Sequence, residues 1–344
     1  MKSEKKQLIR RCNELALRAE GRTGTNPLVG SILTCDGKIV AEDWHRGFGL
    51  PHAEANVIHQ IQDFDISDEC EMYVSLEPCN HQGKTPPCTT SIIQKKIPAV
   101  IIDQIDPNEK MAGKSLDYLR DNHVSVTDPL NTATGARILA PFHINIKQKR
   151  PYIIIKMAVS RDGFIGRPGG QIKISHPISD RWVHKIRSRV QGIMVGTTTA
   201  SNDNPSLTAR YNHRNHPVRI IPDRQGILSR DLKIFQPGAP TIVFTSSDQT
   251  YPHAKVIRLE DMSLPVLFRK LYDLHIGSIL IEGGARLVTS LMENDLWDEW
   301  ILIQSQTVSL RTGITAPTLP RQASEYEKNL GTDVWKIMKN SSYR

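Results

Sequence analysis

Ser75-Leu76-Glu77-Pro78-Cys79-Asn80-His81-Gln82-Gly83-Lys84-Thr85-Pro86-Pro87-Cys88 reads as the end of a strand, a loop, and the start of a helix. The strand is EMYVSLE, residues 71–77, mixing β-branched and aromatic side chains. Pro86-Pro87 suits a first helical turn, where the missing N–H of proline costs little. Upstream, a helical pattern opens at about Ala53, directly after Pro51-His52. Before it, LVGSILT (28–34), the turn Asp36-Gly37 and KIVAEDWH (38–45) form a hairpin pattern. Residues 4–20 place Leu8, Ile9, Cys12, Leu15, Ala16 and Ala19 at helical spacing. Downstream, AVIIDQI (99–105) is a strand, SLDYLRDN (115–122) a helix and HVSVTD (123–128) a short strand. Strands alternating with helices predict an α/β layer architecture.

The pattern changes at KQKRPYIIIKMA (147–158), where a charged, proline-containing stretch enters an apolar strand. That places a domain boundary near residue 148 and predicts two domains, 1–148 and 149–344, as the length of 344 residues also suggests. The second half alternates again. GIMVGTTT (192–199), VRIIPD (218–223), TIVFTS (241–246), KVIRLE (255–260), SILIEGG (278–284) and ILIQSQTVSL (301–310) read as strands. Helical patterns lie near 177–190, 262–275 and 285–294. No Gly-x-Gly-x-x-Gly follows a strand, so a Rossmann domain is not expected.

The net charge of +8 favours anionic partners, yet Lys and Arg are dispersed rather than gathered in a nucleic-acid tail. No apolar run is long enough to span a bilayer, and charges interrupt the N-terminal stretch, which argues against a signal peptide. A cytoplasmic protein is therefore expected, without membrane or nucleic-acid partners. The sequence leaves a homo-oligomer open. All five cysteines, Cys12, Cys35, Cys70, Cys79 and Cys88, lie in the first quarter of the chain. An odd number in a reducing compartment argues against disulfides and for a local metal or catalytic site.

The chemistry concentrates in His52, Glu54, Cys79 and Cys88. One imidazole and two thiolates make three ligands for Zn2+, leaving a fourth position for water, as catalytic zinc sites do. Zinc brings the pKa of such a water to about 7. Glu54 is not needed as a ligand and is free to move the proton to a leaving amine. His-x-Glu with a later Pro-Cys is the zinc deaminase signature. Residues two apart lie roughly 200° apart around a helix. His52 and Glu54 therefore share a centre only if His52 sits at the helix entry with non-helical dihedrals. Two other readings stay open: a closed structural site with Cys70 or His81 as fourth ligand, and a zinc-stabilised protein without catalysis. A deaminase of a nucleic-acid base is the third, but it needs a basic, aromatic strand-gripping surface. Only 6% of the residues are aromatic, and none interleave with a basic stretch.

SLEPCNHQGKTPPC, with TNPLVG (25–30) and PHAE (51–54) upstream, closely resembles the bifunctional riboflavin biosynthesis deaminase/reductase family. The likeness continues through DPNEKMAGKSLDYLRDNHVSV (106–126), PYIIIKMAVSRDGFIG (151–166), VGTTTASNDNPSLTAR (195–210) and LIEGGARL (280–287), covering nearly the whole chain. It implies a cytidine-deaminase-like three-layer domain followed by a dihydrofolate-reductase-like α/β domain. The first would remove the 2-amino group of a diaminopyrimidinone ribosyl phosphate, and the second would reduce the ribosyl unit to ribityl with NADPH. By the same resemblance Asn26 contacts the pyrimidine ring, and His45, His81 and Lys84 fall in substrate loops. Ala158, Thr199 and Asp203 match cofactor positions. So does the loop Gly284, Ala285, Arg286, Leu287, Val288, Thr289 and Ser290. Arg187, Leu207, Arg210 and Glu282 match substrate positions. Read from its residues, SILIEGGARL is a strand that ends at Glu282 and turns through a Gly pair into a helix whose bare N–H groups suit phosphate. Arg187 and Arg210 are suitable forks for a phosphate. Two departures stand out. Thr25 replaces a proline common in the family, and Ile172-Lys173-Ile174 replaces a Ser-x-Trp.

Overall fold

The computed structural model describes residues 2–80, 86–109, 111–211, 216–318 and 325–340. The chain divides into two compact units, Met1–Lys149 and Arg150–Arg344.

The first unit runs α1 (Lys2–Ala16), β1 (Gly30–Cys35), β2 (Lys38–Trp44), α2 (Ala53–Gln60), β3 (Cys70–Leu76), α3 (Cys88–Gln94), β4 (Ala99–Gln104), α4 (Lys114–Asp121), β5 (Ser125–Val126) and α5 (Ala133–Gln148). Its sheet has the order β2-β1-β3-β4-β5, with β1 antiparallel to β2 and β3, and β3, β4 and β5 parallel. Successive strand residues face opposite sides, and both sides are apolar here. Leu33, Met72, Val74, Val100 and Ile102 pack on Ala53 and Val57 of α2 and Ile92 of α3. Ile32, Tyr73 and Ile101 pack on Ile9, Cys12 and Leu15 of α1. Helices therefore cover both faces, giving three layers. The parallel pair β3–β4 brings the chain out at the same end of the sheet after Leu76 and Gln104, where Cys79 and the start of α3 lie.

The expectation that no cysteines would pair is corrected: Cys35 and Cys70 form a disulfide. They stand directly opposite each other at the end of the β1–β3 ladder, with Cα atoms 4.0 Å apart. Two cysteines placed so are within bonding reach whatever the total count. Cys70 also lies at the start of β3, away from Cys79 beyond its other end, so it is no fourth ligand.

The second unit runs β6 (Tyr152–Val159), β7 (Phe164–Gly166), α6 (Pro177–Arg187), β8 (Gly192–Met194), α7 (Thr197–Asp203), β9 (Val218–Pro222), β10 (Thr241–Thr245), β11 (Ala254–Arg258), α8 (Leu264–Asp273), β12 (Ser278–Ile281), α9 (Ala285–Glu293), β13 (Glu299–Ser305), β14 (Ile314–Thr315), β15 (Tyr326–Leu330) and β16 (Asp333–Lys339). Nine strands take the order β11-β10-β9-β8-β12-β6-β13-β16-β15. The run from β11 to β13 is parallel, and β16 and β15 extend it antiparallel. Ile153, Ile155 and Met157 of β6 face Leu267 of α8 and Val288 and Leu291 of α9. On the other face, Ile301, Ile303 and Trp335 pack with Val183 of α6, while Val195, Ile221 and Val243 pack with Ala200 of α7.

GIMVGTTT reads as one strand through Thr199, but the strand stops at Met194 and α7 begins at Thr197. Gly196 is extended (φ −73°, ψ 159°) and caps the helix, so the threonines enter its first turn instead of continuing the ladder. No helix among the described residues is long and apolar enough to cross a membrane.

Candidate active sites

The C-terminal end of the first sheet gathers the candidate metal-binding set. His52 is the N-cap of α2, extended at φ −70° and ψ 164°. The imidazole therefore points across the helix start while Glu54 enters the first turn, which resolves the angular conflict of an i, i+2 pair. Cys88 is the first residue of α3, after the extended Pro87. Its backbone N–H donates to Cys79 Sγ at 3.3 Å. The Thr89 N–H donates to the Cys79 carbonyl at 3.2 Å, which fixes the loop strand on the helix start.

His52 Nδ1 lies 3.4 Å from Cys79 Sγ and 3.4 Å from Cys88 Sγ. Zinc at its usual bond lengths to nitrogen and sulfur in a tetrahedron would set these separations at about 3.6 Å. The three donors fit the ion. Among the described residues they are the one set of three or more ligand-type side chains so gathered, so a fourth protein ligand is not supplied there. His81, the other residue weighed as a fourth ligand, and Lys84 lie outside the described residues. Zinc takes the imidazole of His52 neutral and both cysteines as thiolates, so these three side chains give up their protons to hold it. Glu54 is buried, and desolvation, with the neighbouring Cys79 charge, lifts its carboxyl to about 7. A carboxyl poised there both takes and gives a proton near neutrality.

Asn26 and His45 sit beside this centre. The His45 ring meets the His52 ring edge-on at 5.6 Å. His45 Nδ1 donates to the Pro51 carbonyl at 3.0 Å, which leaves Nε2 as an acceptor 3.4 Å from Asn26 Nδ2. Burial pushes the His45 pKa down and keeps the ring neutral. Glu77, two residues before Cys79, is buried and accepts from the N–H groups of Asp106, Gly113 and Ser115 and from the Ser115 hydroxyl. It ties the loop after β4 to the cysteine loop.

In the second unit the matched residues meet at the C-terminal ends of β6, β8 and β12, where ligands enter open parallel sheets. Ala158 is near the end of β6, Thr199 and Asp203 lie on α7, and Glu282 follows β12. Gly284 caps α9 in extended form without a side-chain cap, so the first N–H groups of that helix are bare. A Cβ on Gly284 would come within 3.0 Å of Thr199 Oγ1, a tight contact, so the glycine eases the close approach of the two helix starts. This cradle fits the phosphates of a nicotinamide dinucleotide. Within the loop, Val288 is fully buried in the core, so its side chain positions the helix rather than touching a ligand. Leu207 is also buried and adopts φ +52°, a strained backbone for a leucine, within the loop that leads to Arg210. Ile174 is buried, so it fills the interior.

Glu282 receives two bonds from Arg187, at 2.6 and 2.9 Å, and an ion pair from Lys156 at 3.0 Å. Burial alone would raise its carboxyl, but the two cations outweigh it and hold it far below the usual carboxylate range. Arg187 also donates to the Thr208 carbonyl at 3.2 Å. Its fork is thus committed inside the protein, whereas Arg210 is exposed. Lys156 and His184, which contacts Arg210, were not singled out in the sequence. Lys156 carried a signal: it interrupts the otherwise apolar run of Tyr152–Val159. His184 carried none, since an amphipathic helix hides which of its polar residues turns inward.

Fold and sites together define a two-domain enzyme, a cytidine-deaminase-type zinc domain followed by a reductase domain. Residues 2–104 match the cytidine and deoxycytidylate deaminase zinc-binding region, and residues 151–308 match the RibD C-terminal domain. The chain is 33% identical to the riboflavin biosynthesis protein RibD of Aquifex aeolicus over 84% of its own length and 83% of that protein's. It is 34% identical to the Actinobacillus pleuropneumoniae protein of the same name, over 84% and 80%. The Thermotoga maritima diaminohydroxyphosphoribosylaminopyrimidine deaminase/5-amino-6-(5-phosphoribosylamino)uracil reductase structure superposes with a TM-score of 0.89 at 30% identity, covering 98% of this chain and 99% of that one. The chain belongs to the RibD family: it is a bifunctional deaminase and reductase of riboflavin biosynthesis, and it takes zinc and NADPH.

Proposed function

We propose that the first unit removes the 2-amino group of a diaminopyrimidinone ribosyl 5'-phosphate and that the second reduces the ribosyl unit of the product to ribityl. In this reading His52, Cys79 and Cys88 hold zinc, which supplies an electrophilic centre that acidifies a water. Glu54 takes the proton of that water and delivers it to the departing ammonia. Asn26 and the neutral His45 hold the pyrimidine edge. His81 and Lys84 belong to the same substrate loop by sequence. In the second unit the bare start of α9, with Thr199 and Asp203, seats NADPH, and Glu282 with Lys156 and Arg187 forms the floor on which the sugar lies. Arg210 receives the substrate's phosphate. The partner is thus a small phosphorylated pyrimidine rather than a nucleic-acid strand, and the reaction belongs to a compartment that supplies NADPH, the cytoplasm.

The observation that carries the reading is the 3.4 Å approach of one imidazole to two cysteine sulfurs beside the buried Glu54. The test is incubation with the diaminopyrimidinone phosphate, with and without NADPH, followed by mass analysis. Ammonia release alone is expected without NADPH, and a further gain of two hydrogens with it. An unchanged substrate in both arms would overturn the assignment.

A further inference from the structure

Two arginines of the second unit are held in opposite ways. Arg187 is gripped by a carboxylate, Glu282, on two nitrogens, and gives its third to the Thr208 carbonyl. Its charge is neutralised where it stands. Arg210 is held by His184, one turn before Arg187 on the same face of α6. Arg210 Nε lies 3.0 Å from His184 Nε2, and the Arg210 backbone nitrogen lies 3.2 Å from Nδ1. The ring is 3% exposed, and Tyr211 meets it edge-on at 5.2 Å.

The charged groups facing His184 are Arg187, Arg210 and Glu282. Burial first, then the two arginines, lower its pKa to about 4, so the ring is neutral. A neutral imidazole has one lone pair and one N–H. Arg210 presents a donor to each ring nitrogen, and the shorter approach puts the lone pair on Nε2, accepting from Arg210 Nε–H. Such a partner fixes the arm of an arginine without cancelling its charge, which a carboxylate cannot do. The two terminal nitrogens of Arg210 take no partner among the described residues and form the free, planar half of the fork that suits a phosphate.

We infer that His184 is a positioning residue: as a neutral acceptor it presents the Arg210 fork, at full charge, to the phosphate of the reductase substrate. This rests on the reading that Arg210 receives that phosphate.

The experiment compares His184→Phe, His184→Gln and Arg210→Lys on the deaminated ribosylamino substrate with and without its 5'-phosphate. Ribose 5-phosphate serves as a competitive probe, and inorganic phosphate as a ligand in thermal-shift titration. His184→Phe keeps the volume and removes the acceptor. It is expected to raise the KM for the phosphorylated substrate and the Ki of ribose 5-phosphate about tenfold, the size of a lost hydrogen bond to a charged group. The KM for NADPH is the internal reference. His184→Gln sets an amide oxygen near the place of Nε2 and should recover most of the loss, which a merely structural role would not produce. If Phe does not fold there, His184→Asn, whose amide stops at the level of Nδ1, takes its place against Gln. An equal loss on both substrates, or no rescue by Gln over Phe or Asn, overturns the role of His184. If Arg210→Lys itself loses no preference for the phosphorylated substrate, the assignment of Arg210 fails, and the inference fails with it.

Discussion

Replacing Glu282 by glutamine changes almost no volume and removes one charge. In the structure that charge is the counterion of two cations at once, Arg187 and Lys156, whose side chains are each 15% exposed, while Glu282 is 10% exposed. With glutamine in place, a guanidinium and an ammonium are left with no anion between them. Breaking a buried pair on one side costs about 3–5 kcal/mol, because the partner is left desolvated. For a unit of this size each kcal/mol is worth roughly 2–4 °C, so the reductase transition should fall by about 6–20 °C. Differential scanning calorimetry reads this directly, since two compact units can give separate transitions and the deaminase transition is the internal control. Adding Lys156→Met to Glu282→Gln should recover part of the loss, because one unpaired cation is removed, and the double-mutant cycle reports that coupling. A Glu282→Gln protein within about 1 °C of wild type, or strictly additive effects in the cycle, would refute the reasoning.

Cys79→Ser and Cys88→Ser should each lose bound zinc in metal analysis, while Cys12→Ser, whose thiol is buried under β3, should keep about one ion per chain. Glu54→Gln should keep zinc and lower ammonia release by about a hundredfold to ten-thousandfold, the usual cost of a missing general acid and base; near-normal release would remove Glu54 from the mechanism. In purified, oxidised protein, Cys70→Ser opens a link spanning 35 residues and should cost the deaminase unit about 4 kcal/mol in denaturant titration while leaving its zinc content intact. His184 has a pKa lowered to about 4 in the folded state, from 6.5, so its contribution to stability is present above pH 6.5 and is lost as the pH falls toward 4. The reductase unit should show that decline over this window, and His184→Gln should flatten it; an unchanged slope would mean that the ring is already charged in the fold.

What the sequence made legible follows from distance along the chain. The gathering of His52, Cys79 and Cys88 was readable because each sits beside its own local signal: Pro51 before His52, Pro78 before Cys79, and Pro86-Pro87 before Cys88. The Cys35–Cys70 bond was not, because it depends on the register of two strands, and nothing near either cysteine announces its partner. The same holds for Lys156 with Glu282 and for His184 with Arg210, pairs made by the packing of a strand and a helix on distant loops. Helix α5 escaped notice because Pro141 lies within it and Gly135 in its first turn. That glycine is required by tertiary contact, since a Cβ there would meet the Asp103 carboxylate at 2.0 Å. The hairpin β15–β16 was hidden by its charges, which an edge strand carries on purpose to discourage further pairing.

The position of β6 has a consequence in time. It is the first strand of the second unit to leave the ribosome, yet it lies in the sheet between β12 and β13. Those partners arrive only about 120 and 140 residues later, which at translation rates of about 5–20 residues per second is a wait of roughly 6–28 s. During that interval the chain from Tyr152 to Val159 is an apolar ribbon with neither edge paired. The deaminase sheet, by contrast, is complete within the first 126 residues. A nascent chain halted after α8 should therefore already bind zinc while its second half still needs a chaperone, and the burden of aggregation in synthesis falls on the reductase.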